Sequence, residues 1–219
     1  MRTTPFIAGA LALTTTLGLA ACSSSSKSSS ATADQPAAAS TPVAKIDALT
    51  GQSTSVTLDP AFLKGLTALK LTPGPVGSAK ISGAVATFPI TGGNVTYYAP
   101  GTVTPYVQGL INHDGSGLSL TSGGTKVELT NFVVDPAKSV LTGKVTANGK
   151  VAVESAPLFF LDGRTLKPLQ AGTDGTAVLE GTTVSLTKEA AALLDTTFGT
   201  TALTEYFPVG VAKITVNTK

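Results

Sequence analysis

The clearest structural signal in this chain is the stretch Thr142-Gly-Lys-Val-Thr-Ala-Asn-Gly-Lys-Val-Ala-Val153. Apolar and polar residues alternate on both sides of Asn148-Gly149. An Asn-Gly pair between two alternating runs favours a type I′ turn, because both central residues of that turn take a positive φ. The segment therefore predicts an antiparallel β-hairpin.

Similar alternating runs precede and follow this hairpin. Turn signals separate them, namely Ser122-Gly123-Gly124 and Asp135-Pro136. Several short strands at such spacing are typical of an all-β domain, and we predict an antiparallel β-sandwich or roll of roughly eight to eleven strands. The alternating runs are Gly117–Thr121, Thr125–Thr130, Phe132–Val134, Ser139–Val145 and Val151–Glu154.

Two short α-helices are expected to interrupt the strands. Asp59 precedes Pro60, which is the order of an N-cap and a first helical residue. Thr187 is expected to cap a second helix that ends before Gly199, and a closing strand is expected over residues 208–216. The helical period predicts buried side chains at Phe62, Leu63 and Leu66 in the first helix and at Ala191, Leu194 and Phe198 in the second.

The N-terminus carries an export signal. Residues 1–21 contain the basic Arg2 and an apolar stretch, the pattern of a secretory signal peptide. They lead into Leu19-Ala-Ala-Cys22, which resembles the lipobox of bacterial lipoproteins, and Cys22 is the only cysteine. In that family the cysteine sulfur receives a diacylglycerol, and acyl chains such as palmitate hold the protein to the membrane. The sequence thus predicts a lipoprotein anchored through Cys22 on the extracytoplasmic face of the cell membrane.

A linker and one domain are expected after the signal peptide. Residues 22–42 are rich in Ser and Ala, and they lack Leu, Ile, Val and aromatic residues, so we predict a flexible linker. Residues 43–219 are predicted to form a single β-rich extracytoplasmic domain. Loss of residues 1–21 removes Arg2 and leaves 14 basic residues against 13 acidic ones. This near neutrality argues against a nucleic-acid partner.

Signals for catalysis and metal binding are weak. His113 is the single histidine, and with one cysteine a His/Cys zinc site is nearly excluded. The Gly-x-Ser-x-Gly motif is absent, and the carboxylates are dispersed rather than paired for acid–base work. Asp114 alone supplies too few oxygen ligands for a calcium loop. We therefore predict no catalytic residue, no metal ligand and no enzymatic activity.

The surroundings of His113 allow two interpretations. It is either a turn residue bonded to backbone, because Asp114-Gly115 follows it, or a residue that contacts a ligand. Tyr97, Tyr98 and Tyr106 lie shortly before it in a chain poor in aromatic residues. These tyrosines either line a pocket or pack along strands and sheet edges. His113 and the three tyrosines are therefore the candidate ligand-binding residues.

Several segments resemble a set of exported bacterial proteins of unassigned function, over most of residues 56–216. More distantly, the chain is similar to the HtaA-type domain of actinobacterial surface proteins, which bind haem on a β-rich scaffold. In that family a strand with Phe-Pro precedes a Gly-His-x-Gly-x-Leu segment, and a helix of the form Leu-Thr-x-x-(Gly/Ala)-Ala-x-x-Ala lies near the domain end. The matching segments are Thr87–Val95, Gly109–Thr121, Val127–Asp135, Leu141–Val145, Pro157–Phe159 and Leu186–Gly199.

The resemblance also bears on a cofactor. His113 matches the histidine that sits beside the haem in HtaA-type domains. The iron ligand of that family is a tyrosine near the domain start, where this chain has Asp59–Leu66 without tyrosine or tryptophan. The match itself therefore assigns no iron ligand. Histidine is able to ligate haem iron, so His113 is one alternative, and substitution by Tyr97, Tyr98 or Tyr106 is the other.

Two functions follow as hypotheses. The first is a membrane-anchored surface lipoprotein with a non-catalytic binding or interaction domain that meets a cell-envelope partner. The second is an HtaA-like lipoprotein that binds or relays haem. Residue types and their spacing do not firmly imply a cofactor. Haem is suggested by the resemblance to HtaA-type domains.

Overall fold

The computed structural model of the chain describes residues 40–219. The expected signal peptide, the predicted lipidation site Cys22 and most of the predicted linker lie outside the described residues. Thirteen strands and two α-helices are present in the described part. The helices are α1 (Pro60–Ala68) and α2 (Lys188–Phe198). The strands are β1 (Ala44–Ile46), β2 (Gln52–Leu58), β3 (Thr72–Gly77), β4 (Lys80–Ser82), β5 (Val85–Pro89), β6 (Gly92–Tyr97), β7 (Val107–Ser122), β8 (Thr125–Asp135), β9 (Val140–Ala147), β10 (Lys150–Asp162), β11 (Gln170–Ala171), β12 (Thr176–Leu186) and β13 (Pro208–Asn217).

All the strands belong to one antiparallel sheet, which confirms the predicted all-β class. Its order is β1-β6-β7-β8-β9-β10-β12-β13-β2-β5-β4, with β3 also paired to β7 and β11 to β12. The strand number exceeds the predicted eight to eleven. The reason is that β1 and β4 have three residues and β11 has two, which is too short to show an alternating pattern.

The predicted hairpin is confirmed as β9 and β10. Asn148 and Gly149 take φ values of 49° and 78°, as the two centres of a type I′ turn require. The backbone N–H of Lys126 donates to the Asn148 side chain at 2.8 Å, which ties the turn to the neighbouring strand β8.

Both predicted helices are confirmed with their caps. The Asp59 carboxylate accepts a hydrogen bond from the Ala61 N–H at 2.7 Å. Thr187 Oγ1 accepts one from the Ala190 N–H at 3.1 Å, and Gly199 ends α2 with a left-handed φ of 64°. Of the side chains predicted to be buried, Leu66, Ala191 and Leu194 are buried, and Phe62, Leu63 and Phe198 are half-buried against the core.

The sheet curls around its own apolar side chains. Strands β7 and β2, which lie far apart in the sheet order, line one shared cavity together with β10 and β12. The backbone N–H of Thr91, immediately before β6, donates to the carbonyl of Asn112 on β7 at 2.8 Å and continues the pairing of these two strands. The core cluster extends from Leu49 to Val216, so residues 40–219 carry a hydrophobic core of their own. Neither of the two helices in this range has the length and apolar character needed to cross a bilayer.

Candidate ligand-binding site

His113 lies inside strand β7, so the expected turn at this position is wrong. Its side chain points into the protein and is 1% exposed. The sequence Asp114 to Gly117 favours a turn. In the structure these residues instead form an irregularity at which the register between β7 and β8 shifts. A β-bulge uses the same residue types as a turn, including a glycine at positive φ, here Gly115 at 69°.

The irregularity is held by side chains from neighbouring segments. The Asp114 carboxylate accepts a hydrogen bond from Thr91 Oγ1 at 3.0 Å. The Gly115 N–H donates to the side-chain oxygen of Asn131 at 3.0 Å. Ser116, fully buried, donates to the carbonyl of His113 at 3.0 Å. These bonds fix the backbone around His113, and with it the direction of the ring.

The imidazole ring of His113 contacts Thr54 on β2. Nε2 lies 2.8 Å from Thr54 Oγ1, and both side chains are buried. No atom of residues 40–219 meets Nδ1 with hydrogen-bond geometry. Burial lowers the pKa of His113 from 6.5 to about 4, and it outweighs nearby backbone groups and the Asp114 charge, which act in the opposite direction. The ring is therefore uncharged at neutral pH.

A cavity of about 470 Å³ opens along the inner side of the curled sheet. This size is within the range of small-molecule sites, which are mostly apolar with few polar groups. His113 and Thr54 supply polar atoms to its wall, and Phe88 packs its ring edge-on to His113. Most other lining side chains are aliphatic or aromatic, including Val56, Ala86, Val95, Ile111, Phe132, Val134, Leu141, Phe159, Leu161, Val184, Ala212 and Ile214.

The structure places the three candidate tyrosines differently. Tyr97 and Tyr106 line the cavity, with ring centroids 5.9 Å apart in an edge-to-face arrangement. Tyr98 is not among the lining residues. The Tyr106 hydroxyl donates to the carbonyl of Gly163 at 3.4 Å. Burial, together with the neighbouring Tyr97, raises the pKa of Tyr106, so its phenol stays protonated at neutral pH.

Charged side chains of the cavity wall are Lys45, Asp162 and Arg164. The side chains of Lys45 and Arg164 are 56% and 88% exposed, which puts them at the rim. Arg164 binds Asp162 through Nε and Nη2 and holds the pKa of that carboxyl at about 2. The sequence offered no signal for this rim, because an isolated Lys or Arg is normally a solvated surface residue.

Thr54 and His113 resemble a nucleophile with its base, but no acid among residues 40–219 orients Nδ1, and a pKa of about 4 makes the ring a weak base. Within residues 40–219, no group of three or more His, Cys, Asp or Glu residues is placed to hold a metal ion.

Comparisons with known proteins support the fold. No protein-family model matches the chain. No curated protein matches its sequence. Among solved structures, the chain is similar to the C-terminal domain of HtaA from Corynebacterium glutamicum, with a TM-score of 0.53 and 13% sequence identity. The match covers 77% of this chain and 97% of that domain. At this identity the similarity shows a shared all-β fold.

Proposed function

We propose that this protein is a membrane-anchored, non-catalytic surface lipoprotein whose β-rich domain binds a small apolar molecule. One observation carries the proposal, namely the cavity of about 470 Å³ with a mainly apolar wall. An apolar ligand placed there removes its surface and that of the wall from water, which is the main driving force for such binding. The neutral ring of His113 adds polarity without adding charge.

Filling the cavity is expected to weaken the binding of a neutral apolar dye, 1-aminoanthracene, to residues 40–219. Ala177 is half-buried on the cavity wall, so Ala177→Phe places a ring in the binding space. We expect saturable fluorescence enhancement with the unaltered domain and a loss of affinity of at least about tenfold in the variant.

Ala152→Phe is the matched control for this experiment, because Ala152 is exposed on β10 and does not line the cavity. Val95→Phe, also on the wall, is a second filling variant in case the first unfolds. Circular dichroism checks the fold of each. Equal dye affinity in all of the folded variants would refute the cavity as the binding site.

The membrane location rests on the lipobox-like Leu19-Ala-Ala-Cys22. In cells that express the full chain, Cys22→Ala is expected to move the protein from the membrane fraction to the soluble fraction, because the acyl chains have no other acceptor thiol. Ser23→Ala is the control and should leave the protein membrane-bound. Retention of the Cys22→Ala protein on the membrane would contradict lipid anchoring.

Haem is the second candidate ligand. His113 and two tyrosines share one cavity. The fold is similar to that of the C-terminal domain of HtaA. The resemblance of the segment around His113 to HtaA-type domains rests on the sequence alone. The apolar wall fits the body of a porphyrin. Among the described residues, His113 Nε2 contacts Thr54 while Nδ1 has no hydrogen-bond partner. Tyr106 has a raised pKa, and α1 contains no tyrosine, which leaves His113 Nδ1 and Tyr97 as the candidate iron ligands of the cavity wall.

A hemin titration of residues 40–219 tests this candidate. Haem binding at the cavity would give a sharp, saturable Soret band that weakens on His113→Ala combined with Tyr97→Phe and Tyr106→Phe. Tyr98→Phe serves as the control, since Tyr98 does not line the cavity. If the unaltered domain gives no Soret band, or if the combined substitutions leave the band unchanged, haem is ruled out at this site. The apolar-ligand proposal would remain intact.

A further inference from the structure

The cationic side chains of the cavity lie at its rim, apart from its apolar wall. Among the lining residues the charged side chains are Lys45, Asp162 and Arg164, and the two cations are the exposed ones. Deeper in the wall, His113 is uncharged at neutral pH. A charged group inside would therefore lose its water without meeting an opposite charge, at a high cost. The part of a ligand that enters the cavity must be uncharged, and any charge on it must remain at the rim.

Both rim cations retain free hydrogen-bond donors. Lys45 forms an ion pair with Asp47 at 2.6 Å, and an ammonium group has three donors. Arg164 uses Nε and Nη2 toward Asp162, and no atom of residues 40–219 accepts a hydrogen bond from Nη1. Exposed pairs of this kind are weak and rearrange easily, so either cation is able to bind a second anion.

The volume of the cavity suits a single long chain. A volume of about 470 Å³ holds roughly 15 groups of the size of a methylene, if each takes the approximately 30 Å³ of one liquid water. The wall offers flexible aliphatic side chains together with the edges and faces of Phe88, Phe132 and Phe159, and these surfaces contact hydrocarbon without any directional requirement.

We propose that the cavity binds an anionic single-chain amphiphile, with a long acyl or alkyl chain along the apolar wall and the anionic head group at Lys45 and Arg164. This inference rests on the proposed binding function and adds the class of ligand. The shared chemistry is a hydrocarbon chain with a carboxylate or phosphate head.

The first test measures displacement of cis-parinarate from residues 40–219 by saturated fatty acids from octanoate to stearate, each below its micelle concentration. Affinity is expected to rise about fourfold per added methylene and to level off near palmitate, where the cavity is full. A rise that continues to stearate without levelling, or no dependence on length, would overturn the single-chain site.

The second test concerns the head group. Palmitate and hexadecyl phosphate represent the two anionic sources, and 1-hexadecanol is their neutral counterpart. The double variant Lys45→Gln, Arg164→Gln is expected to bind the anion that is the natural ligand class about tenfold more weakly. Its affinity for 1-hexadecanol is expected to stay unchanged. The anion that loses more affinity identifies the source as carboxylate or phosphate.

Lys64→Gln combined with Lys188→Gln is the matched control, because it removes the same charge from residues outside the cavity wall. An equal loss in the control would show that only net charge matters and would overturn the rim site. If cis-parinarate does not bind but 1-aminoanthracene or hemin does, the ligand class is wrong and the binding function stands. If none of these probes binds, both proposals fail.

Discussion

The free energy of unfolding of residues 40–219 is expected to fall by about 2 kcal/mol between about pH 7.5 and pH 5.0. The cause is His113, which is 1% exposed and whose pKa burial lowers from 6.5 to about 4. In the unfolded chain the ring is in water and takes up a proton near its ordinary pKa. Below that value the unfolded state therefore binds more protons than the folded state, and stability falls with pH.

The window of this effect follows from the two pKa values. Stability is complete above the unfolded value of 6.5 and is lost progressively as the pH falls to about 4, a total of about 3 kcal/mol at 1.36 kcal/mol per unit. Asp162 and Glu180 have lowered pKa values, so the stability that they contribute is lost at lower pH.

The measurement is urea unfolding at a series of pH values, followed by circular dichroism. His113→Gln provides the control, because His113 is the only histidine and no other side chain of residues 40–219 has an ordinary pKa inside this window. The variant should be less stable at neutral pH, and its free energy of unfolding should change little between about pH 7.5 and pH 5.0. An equally steep loss in the variant would mean that the histidine is not the cause.

Gly117→Ala is expected to destabilise the domain by about 3 kcal/mol or more. A Cβ atom at Gly117 would lie 2.0 Å from the carbonyl oxygen of Leu129 and 2.8 Å from Cα of Thr130. Both atoms belong to the backbone of β8, so no side-chain rotation relieves the clash. Strands β7 and β8 would have to separate where the register shifts beside His113.

Gly123→Ala is the control for this prediction. Gly123 lies in the turn after β7 at a φ of 56°, and an added Cβ there meets nothing within 4 Å. Its cost is the backbone strain of a left-handed residue alone, about 1 kcal/mol. Urea unfolding at neutral pH compares the two variants. Similar losses would show that β7 and β8 are not packed backbone to backbone at Gly117.

The site depends on contacts between residues that are far apart in sequence. His113 and Thr54 are 59 positions apart, and no local pattern links a threonine in one strand to a histidine in another. The rim residues Lys45 and Arg164 are also far apart in sequence, since Lys45 lies in β1 and Arg164 follows β10. His113, Tyr97 and Tyr106 were candidates from sequence alone, but only the curled sheet brings them to one cavity and leaves Tyr98 outside its wall.

The sequence by itself determined the local elements of this protein. The Asn148-Gly149 hairpin, the caps at Asp59 and Thr187 and the αL residue Gly199 all depend on interactions between residues a few positions apart, and such interactions act before any tertiary contact forms. The lipobox-like segment ending in Cys22 is of the same local kind, and it stays a prediction.

Only the tertiary structure decided what surrounds His113. Asp114 and Gly115 are equally compatible with a turn and with a bulge, and the choice depends on β8, Thr91 and Asn131, which hold the irregularity in place. The same packing removes water from the imidazole and lowers its pKa. Burial depends on how the whole sheet curls, and this long-range property has no counterpart in the spacing of residues along the chain.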